Sequence, residues 1–253
     1  MAPTPDPALD DLDRVIRSRR VFNGRARGGL PPADGRLGKR GVVSRADGAH
    51  RLDGDDLEAV AALGLRTVLD LRTEGELERG RFPTHLHPVD WHHLPVLQRI
   101  WSDDDLVPGS GAAEFLRDRY LDMLDQGGGS LARALELIAD GQPALFHCSA
   151  GKDRTGVLAA VLLGLLGVDH DVIAHDYHLS AAAMEEFSRW LTAELPEAVD
   201  AMSSQPKEYL EAPVEAMHGF LTEVDARYGS MEGLVDALGV TPATVSALRD
   251  QLL

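Results

Sequence analysis

Apolar positions divide this 253-residue chain into two regimes. Up to about residue 147, short apolar runs alternate with stretches of helical spacing. Beyond it, every apolar pattern is helical. Arg66 to Leu71 is β-branched and apolar and reads as a buried strand. Trp91 to Leu97 and Pro143 to His147 read as two more. Asp55 to Glu58 opens a helix that Gly64 stops, and Glu74 to Gly80 forms a short helical turn. Phe115, Leu116, Tyr120, Leu121 and Leu124 make one apolar stripe, which predicts a helix over Gly111 to Gln126. Gly127 to Gly129 predict a break after it, with Ser130 capping a second helix over Leu131 to Asp140 and Gly141 ending it. Thr155 to Leu166 is strongly apolar, the pattern of a buried helix, and Gly167 stops it. Asp169 to Leu195, Val214 to Arg227, Met231 to Leu238 and Thr241 to Leu253 read as further helices. Strands interleaved with helices, then helices alone, predict one α/β domain: a central sheet flanked by helices, with an all-helical C-terminal part. Residues 1–20 are expected to be a flexible tail, since Met1 to Asp13 is rich in Pro and Asp. The single domain is then 21–253. Gly24 to Gly41, with six glycines and two prolines, reads as loop or hairpin.

Composition narrows the function classes. Hydrophobic residues make up 44% and charged residues 26%, enough apolar material for a real core. The longest apolar stretch, Val157 to Val168, is about 12 residues where a membrane span needs about 20. No transmembrane segment is expected. No basic start followed by an apolar core marks a signal peptide, so the expected location is cytoplasmic, or secreted without a leader. Cys148 is the single cysteine, which rules out an internal disulfide framework and a Cys-based zinc cluster. The net charge is −16, yet Arg14 to Arg51 carries eleven Arg/Lys against two acids. An acidic chain with one basic segment and 5% aromatics is a poor nucleic-acid binder. The basic segment has two readings: a solvated face, or a wall facing an anionic substrate.

The chemistry concentrates in His147-Cys-Ser-Ala-Gly-Lys-Asp-Arg-Thr-Gly156, between a buried strand and a buried helix. A loop entering a helix presents unpaired N–H groups at the positive end of the dipole, a cradle for a tetrahedral oxyanion. A cysteine at the base of that loop sits in the same field, which favours its thiolate, the nucleophilic form. Arg154 can return over the loop and offer a planar fork to two phosphate oxygens. Gly151 allows close backbone approach, and Thr155 is placed to donate its hydroxyl toward the sulfur. The chain has three lysines, Lys39, Lys152 and Lys207, against 22 arginines. A lysine in this loop therefore stands out; the reading is a compact charge at a phosphate pocket, against simple solvation.

This loop resembles the phosphate loop of cysteine-dependent tyrosine and dual-specificity phosphatases. Its Gly-Lys-Asp-Arg core is similar to a bacterial branch acting on phosphotyrosine and often on phosphoinositides. Asn23-Gly-Arg-Ala-Arg-Gly-Gly-Leu30, Val43-Ser-Arg45, Val68-Leu-Asp-Leu-Arg72 followed by Glu76, and Tyr228-Gly-Ser resemble other elements of that branch, so the likeness covers roughly residues 20 to 253. Gly24 and Ala26 replace a Phe and an Asp of the N-terminal element. The resemblance implies a tyrosine-phosphatase-like fold and hydrolysis of phosphate monoesters through a cysteinyl-phosphate, with no cofactor and no metal. Cys148 is then the nucleophile, and Ser149, Ala150, Gly151, Lys152, Asp153 and Arg154 bind phosphate. His147, Thr155 and Asp70 support them. The substrate class is a phosphorylated protein or a phosphoinositide. Asp153 is favoured as the proton donor, ahead of the group Asp103, Asp104 and Asp105, and of Asp70, whose other reading is a partner for Arg72. Lys152 is expected on the loop rim, where it could meet an extra charge of a phosphoinositide. His92 and His93, on a strand, and His170, His175 and His178, on a helix, read as surface or capping residues. Met184, Phe187, Trp190, Leu191 and Leu195, within 181–210, read as core packing or as a lid over the loop. A thiol-relay arsenate reductase would need more cysteines, a rhodanese loop lacks the Lys-Asp-Arg-Thr-Gly tail, and a cysteine protease needs a base and an oxyanion hole for a carbonyl. A non-catalytic phospho-binding module and a predominantly phosphoinositide phosphatase are the remaining rivals.

Overall fold

The computed structural model describes residues 14–16, 18–26, 30, 38–101, 105, 109–194 and 210–253. Among them, five strands form one sheet: β1 Arg25–Ala26, β2 Val43–Ala46, β3 Thr67–Asp70, β4 Asp90–His93 and β5 Ala144–His147, in the order β1-β2-β5-β3-β4. β1 runs antiparallel to β2, and β2, β5, β3 and β4 are mutually parallel. Alternate residues face opposite sides. Leu69, Ala144 and Phe146 enter the main core, and Ala46, Val68 and Leu145 a smaller one behind the sheet. The register sets Ala46, Asp70 and His147 in one row. Three chain segments therefore leave the sheet side by side at the C-terminal ends of parallel strands, where open α/β sheets hold their ligands.

The helices are α1 Leu57–Ala61, α2 Ala112–Asp140, α3 Asp153–Leu165, α4 His170–His178, α5 Ser180–Glu194, α6 Val214–Tyr228, α7 Met231–Ala237 and α8 Pro242–Leu252. α3 is buried along nearly its whole length, as its apolar pattern requires. α2, α4 and α7 pack on it, and α6 and α8 pack on α2. No helix among the described residues is long and apolar enough to cross a membrane.

Several expectations change. Gly127 to Gly129 do not break the chain; α2 runs straight through them. A Cβ on Gly127 would lie 2.4 Å from Val96 O, and one on Gly128 would lie 2.7 Å from the Leu238 side chain. The glycines let neighbours approach, and that packing offsets a helix penalty of about 1 kcal/mol each. Ser130 is consequently no cap; its hydroxyl donates to Pro95 O at 2.7 Å. The strand expected over Trp91 to Leu97 ends at His93, although Leu94 N–H still donates to Asp70 O at 2.8 Å just beyond it. The helix expected over Asp169 to Leu195 divides at Leu179 into α4 and α5, which brings buried Ser180 within 3.4 Å of Arg25. Residues 1–13 and most of the glycine-rich stretch lie outside the described residues, though β1 pairs with β2 as a hairpin reading requires.

Candidate active site

β5 delivers Cys148 from the sheet into a loop that becomes α3 at Asp153. In a trans peptide the C=O of one residue and the N–H of the next point in opposite directions. Ser149 O accepts from Gly48 N at 3.1 Å, Ala150 O from Asn23 Nδ2 at 3.1 Å, and Gly151 O from Arg45 Nη2 at 2.5 Å. With three successive carbonyls held outward, the N–H groups of Ala150, Gly151 and Lys152 turn the other way, into the hollow of the loop. The Gly151 N–H lies 3.2 Å from Cys148 Sγ, which marks the direction of that hollow. Gly151 has φ +64°, and a Cβ there would sit 2.7 Å from Ala46 O. Only glycine satisfies both demands without strain.

Arg154, on the first turn of α3, meets Glu76 with both terminal nitrogens; Nη2 to Oε1 is 3.1 Å, and Nη1 bonds Oε2. Ser149 Oγ also donates to Glu76. Thr73 holds the same carboxylate from below through its N–H at 2.8 Å and its hydroxyl at 3.0 Å. Burial pushes the Glu76 carboxyl up, but Arg154, Ser149 and Thr73 outweigh it and hold it at about 2. Burial likewise works against the Arg154 charge, yet Cys148 and Glu76 raise its pKa above the ordinary arginine value. The outcome is an ionised fork, rigidly oriented beside Cys148.

A buried charge cluster backs the loop. Asp176 on α4, 1% exposed, lies 2.6 Å from Arg14 Nη2, 3.3 Å from Arg25 Nη2 and 3.3 Å from Arg45 Nη1. Arg25 also bonds the Asn23 side chain, so both residues that reach the outer carbonyls from the N-terminal half are themselves anchored. The basic segment is thus largely internal at these positions, and neither of its sequence readings describes them: Arg14, Arg25 and Arg45 are buried against one carboxylate. Arg51 bonds Asp47 and lies 4.9 Å over the Phe187 ring, with Phe22 and Trp190 beside it. Residues 181–194 of the stretch expected to be core or lid form this surface helix, with Phe187 and Trp190 only half-buried; residues 195–209 lie outside the described residues.

Asp153 Oδ1 accepts the Tyr120 hydroxyl at 2.7 Å and lies 3.4 Å from Lys152 Nζ. Lys152 is not on the rim. Its side chain is fully buried, and Nζ donates to Glu211 O at 2.6 Å, because the chain entering α6 passes over the loop and takes up the ammonium. Among the described residues Thr155 Oγ1 is buried without a hydrogen-bond partner, so the expected bond to the sulfur is not formed. His147 lies beside Cys148, its Nδ1 donating to Cys148 O at 3.2 Å. Burial, with the Arg72 charge, lowers its pKa despite nearby Asp70. Asp70 is fully buried and grips Arg72 through Nε at 2.9 Å and Nη2 at 2.7 Å. Burial alone would raise its pKa, but His147 and Arg72 hold it low, so it is an ion-pair partner and a poor proton donor. Asp105 pairs with Arg99 at 2.6 Å and lies 3.8 Å from Arg119; Asp103 and Asp104 lie outside the described residues. His93 Nε2 donates to Arg72 O at 2.8 Å, and His178 Nδ1 to Ala212 O at 2.7 Å. Among the described residues no three metal-binding side chains converge.

Glu76, Asp176, Tyr120 and Tyr177 were not among the candidate site residues read from the sequence. Glu76 carried a signal, since Thr73-x-x-Glu76 has the form of a capping box. Asp176, Tyr120 and Tyr177 read as ordinary helix positions, and only the packing of α2 and α4 on the loop brings them in.

Comparison with known proteins extends the likeness to the whole domain. A family model described as the tyrosine phosphatase family matches residues 16–253. The triple specificity protein phosphatase PtpB of Mycobacterium tuberculosis is 30% identical over 257 residues, covering 87% of this chain and 91% of that protein. A Cupriavidus necator protein named provisionally as a tyrosine-protein phosphatase is 32% identical over 238 residues, 88% of this chain and 84% of its own. A tyrosine-protein phosphatase of Nostoc commune is 29% identical over 216 residues, covering 80% and 71%. With the cysteine loop, the parallel strands beneath it and a match over nearly the full length, the chain belongs to the tyrosine phosphatase family.

Proposed function

We propose that this chain hydrolyses phosphate monoesters through a cysteinyl-phosphate on Cys148, with phosphotyrosine in proteins as its first substrate class. The phosphate dianion sits with its equatorial oxygens against the loop N–H groups from Ser149 to Arg154 and the Arg154 fork. The Cys148 thiolate attacks phosphorus in line, and the S–P bond forms as the P–O bond to the phenol breaks. The departing oxygen takes a proton from Asp153. Water then attacks the phosphocysteine and gives a proton to the Asp153 carboxylate. Phosphate and thiolate are released. The positive field comes from the loop and Arg154, so no metal or cofactor is assigned a step.

The observation that carries this reading is the outward tethering of three successive loop carbonyls, beside an ionised Arg154. It favours catalysis over a bare phospho-binding module, because such a module has no need of a nucleophile at the base of the cradle. Phosphoserine, phosphothreonine and phosphoinositides are further substrates on this reading, supported by the triple specificity relative. The buried Lys152 offers no rim charge for a second phosphate, which supports phosphotyrosine as the first substrate class. The test compares phosphotyrosine peptides, phosphoserine peptides and phosphoinositides on the wild type, Cys148→Ser and Arg154→Ala, with and without EDTA. Both variants are expected to lose at least about 10³-fold in kcat on every substrate that the wild type turns over, unaffected by EDTA. Retention of a tenth of the activity by either variant contradicts the mechanism.

A further inference from the structure

Asp153 is held from one side only. Its Oδ1 receives the Tyr120 hydroxyl at 2.7 Å and faces Lys152 Nζ at 3.4 Å, while Oδ2 has no hydrogen-bond partner among the described residues. The Tyr120 hydroxyl oxygen lies 2.6 Å from that of Tyr177. A phenol has one proton to give. With the Tyr120 proton spent on a carboxylate, which only accepts, Tyr177 must be the donor to Tyr120. The chain therefore runs Tyr177 O–H to Tyr120 O–H to Asp153 Oδ1, each bond polarising the next. Three elements contribute: Tyr120 from α2, Asp153 from α3 and Tyr177 from α4.

The phenols are built into this position. Both are almost fully buried, with rings edge-to-face at 5.8 Å. Gly156 lies against Tyr177; a Cβ there would come within 3.2 Å of the ring. Burial and the Asp153 charge raise both phenol pKa values well above the ordinary tyrosine value, so neither loses its proton at working pH. They stay donors throughout.

We propose that Tyr120, backed by Tyr177, is a positioning residue that fixes which oxygen of Asp153 carries the transferable proton. Oδ1 accepts the Tyr120 hydroxyl and faces the Lys152 ammonium, so a proton on Asp153 resides on Oδ2, the oxygen left free for the leaving group. The same clamp holds Oδ2 in place when it later receives the proton from water. The logic is that of a group fixing the tautomer of a catalytic base, transferred to a carboxylic acid. The inference rests on Asp153 being the proton donor.

The test reads proton donation apart from folding. A poor leaving group such as phenol needs a proton at departure, whereas 2,4-dinitrophenol leaves unaided. kcat/KM for phenyl phosphate and for 2,4-dinitrophenyl phosphate is measured for wild type, Tyr120→Phe, Tyr177→Phe, Asp153→Asn and Tyr120→Phe/Asp153→Asn. Tyr120→Phe is expected to lose about tenfold on phenyl phosphate, roughly the loss of one good hydrogen bond, and less than about twofold on the dinitrophenyl ester. Tyr177→Phe should show the same pattern, weaker. The double variant should match Asp153→Asn, because Tyr120 acts through Asp153. Equal losses on both esters from Tyr120→Phe, with Asp153→Asn still selective for phenyl phosphate, overturn the positioning role alone. An Asp153→Asn variant with no such selectivity overturns the proton-donor reading, and the positioning role falls with it.

Discussion

Arg45 joins the loop to the core: Nη2 donates to Gly151 O at 2.5 Å while Nη1 lies 3.3 Å from Asp176. A single guanidinium thus orients a loop peptide from one end and is fixed at the other by a buried carboxylate. Arg45→Lys cannot do both, because an ammonium is a point charge without a fork. It is expected to lower kcat/KM about tenfold or more and to weaken vanadate binding in parallel. Asp176→Asn removes the carboxylate that faces three guanidiniums and should cost about 3–5 kcal/mol of stability by urea denaturation, the range for a broken buried pair. Unchanged vanadate affinity in Arg45→Lys would show that the loop holds its own shape.

Glu76 sets a pH signature. Its carboxyl is held at about 2, against 4.5 for a free glutamate. As pH falls, the unfolded chain takes up this proton near pH 4.5, and the folded chain only near 2. The stabilisation is complete above the unfolded value and is lost on the way down to the folded one. Glu76→Gln removes that contribution, so its stability deficit relative to wild type should shrink as pH falls from about 6 to about 3. Asp70, also lowered, is present in both proteins and cancels. A deficit independent of pH across that range contradicts the ion pair. The same variant should lose about tenfold or more in kcat/KM near neutrality, since an amide offers Arg154 one acceptor in place of two.

Lys152 is expected to act through the fold. Its ammonium ties the loop to Glu211 O, just before α6. Lys152→Met should speed amide exchange at residues 210–214 and lower thermal stability. It should reduce turnover of phosphotyrosine and phosphoinositide substrates by a similar factor. A loss confined to phosphoinositides would restore the rim reading.

α5 rests on Phe22 and Arg51 through Phe187 and Trp190, half-buried contacts that open more easily than the core around α3. Its amides should exchange faster than those of α3 and slow when vanadate fills the loop. Exchange as slow as α3 without ligand makes α5 a fixed part of the core instead.

The strand–loop–helix around Cys148 was legible in the sequence because its signals are local: an apolar strand, a glycine where φ is positive, and an all-apolar helix. The support was less so. Gly127 to Gly129 look like a break until Val96 and Leu238 are seen packed against Gly127 and Gly128. The basic run of Arg14 to Arg51 looks like surface, and only tertiary structure reveals that Asp176, far along the chain, takes three of its arginines inside. Lys152 was misplaced for the same reason, since its acceptor at Glu211 is 59 residues away. Asp70 showed both readings in sequence, and its bonds to Arg72 decide between them.

The most direct measurement is rapid-quench intact-protein mass spectrometry during turnover of a phosphotyrosine peptide. Wild type should carry one added phosphoryl group, mapped to Cys148 after acid quench and digestion, with the thiol blocked from alkylation while it is phosphorylated. Cys148→Ser should show neither the adduct nor turnover. A phosphoryl group on another side chain, or turnover that survives in Cys148→Ser, would contradict catalysis through the Cys148 thiolate.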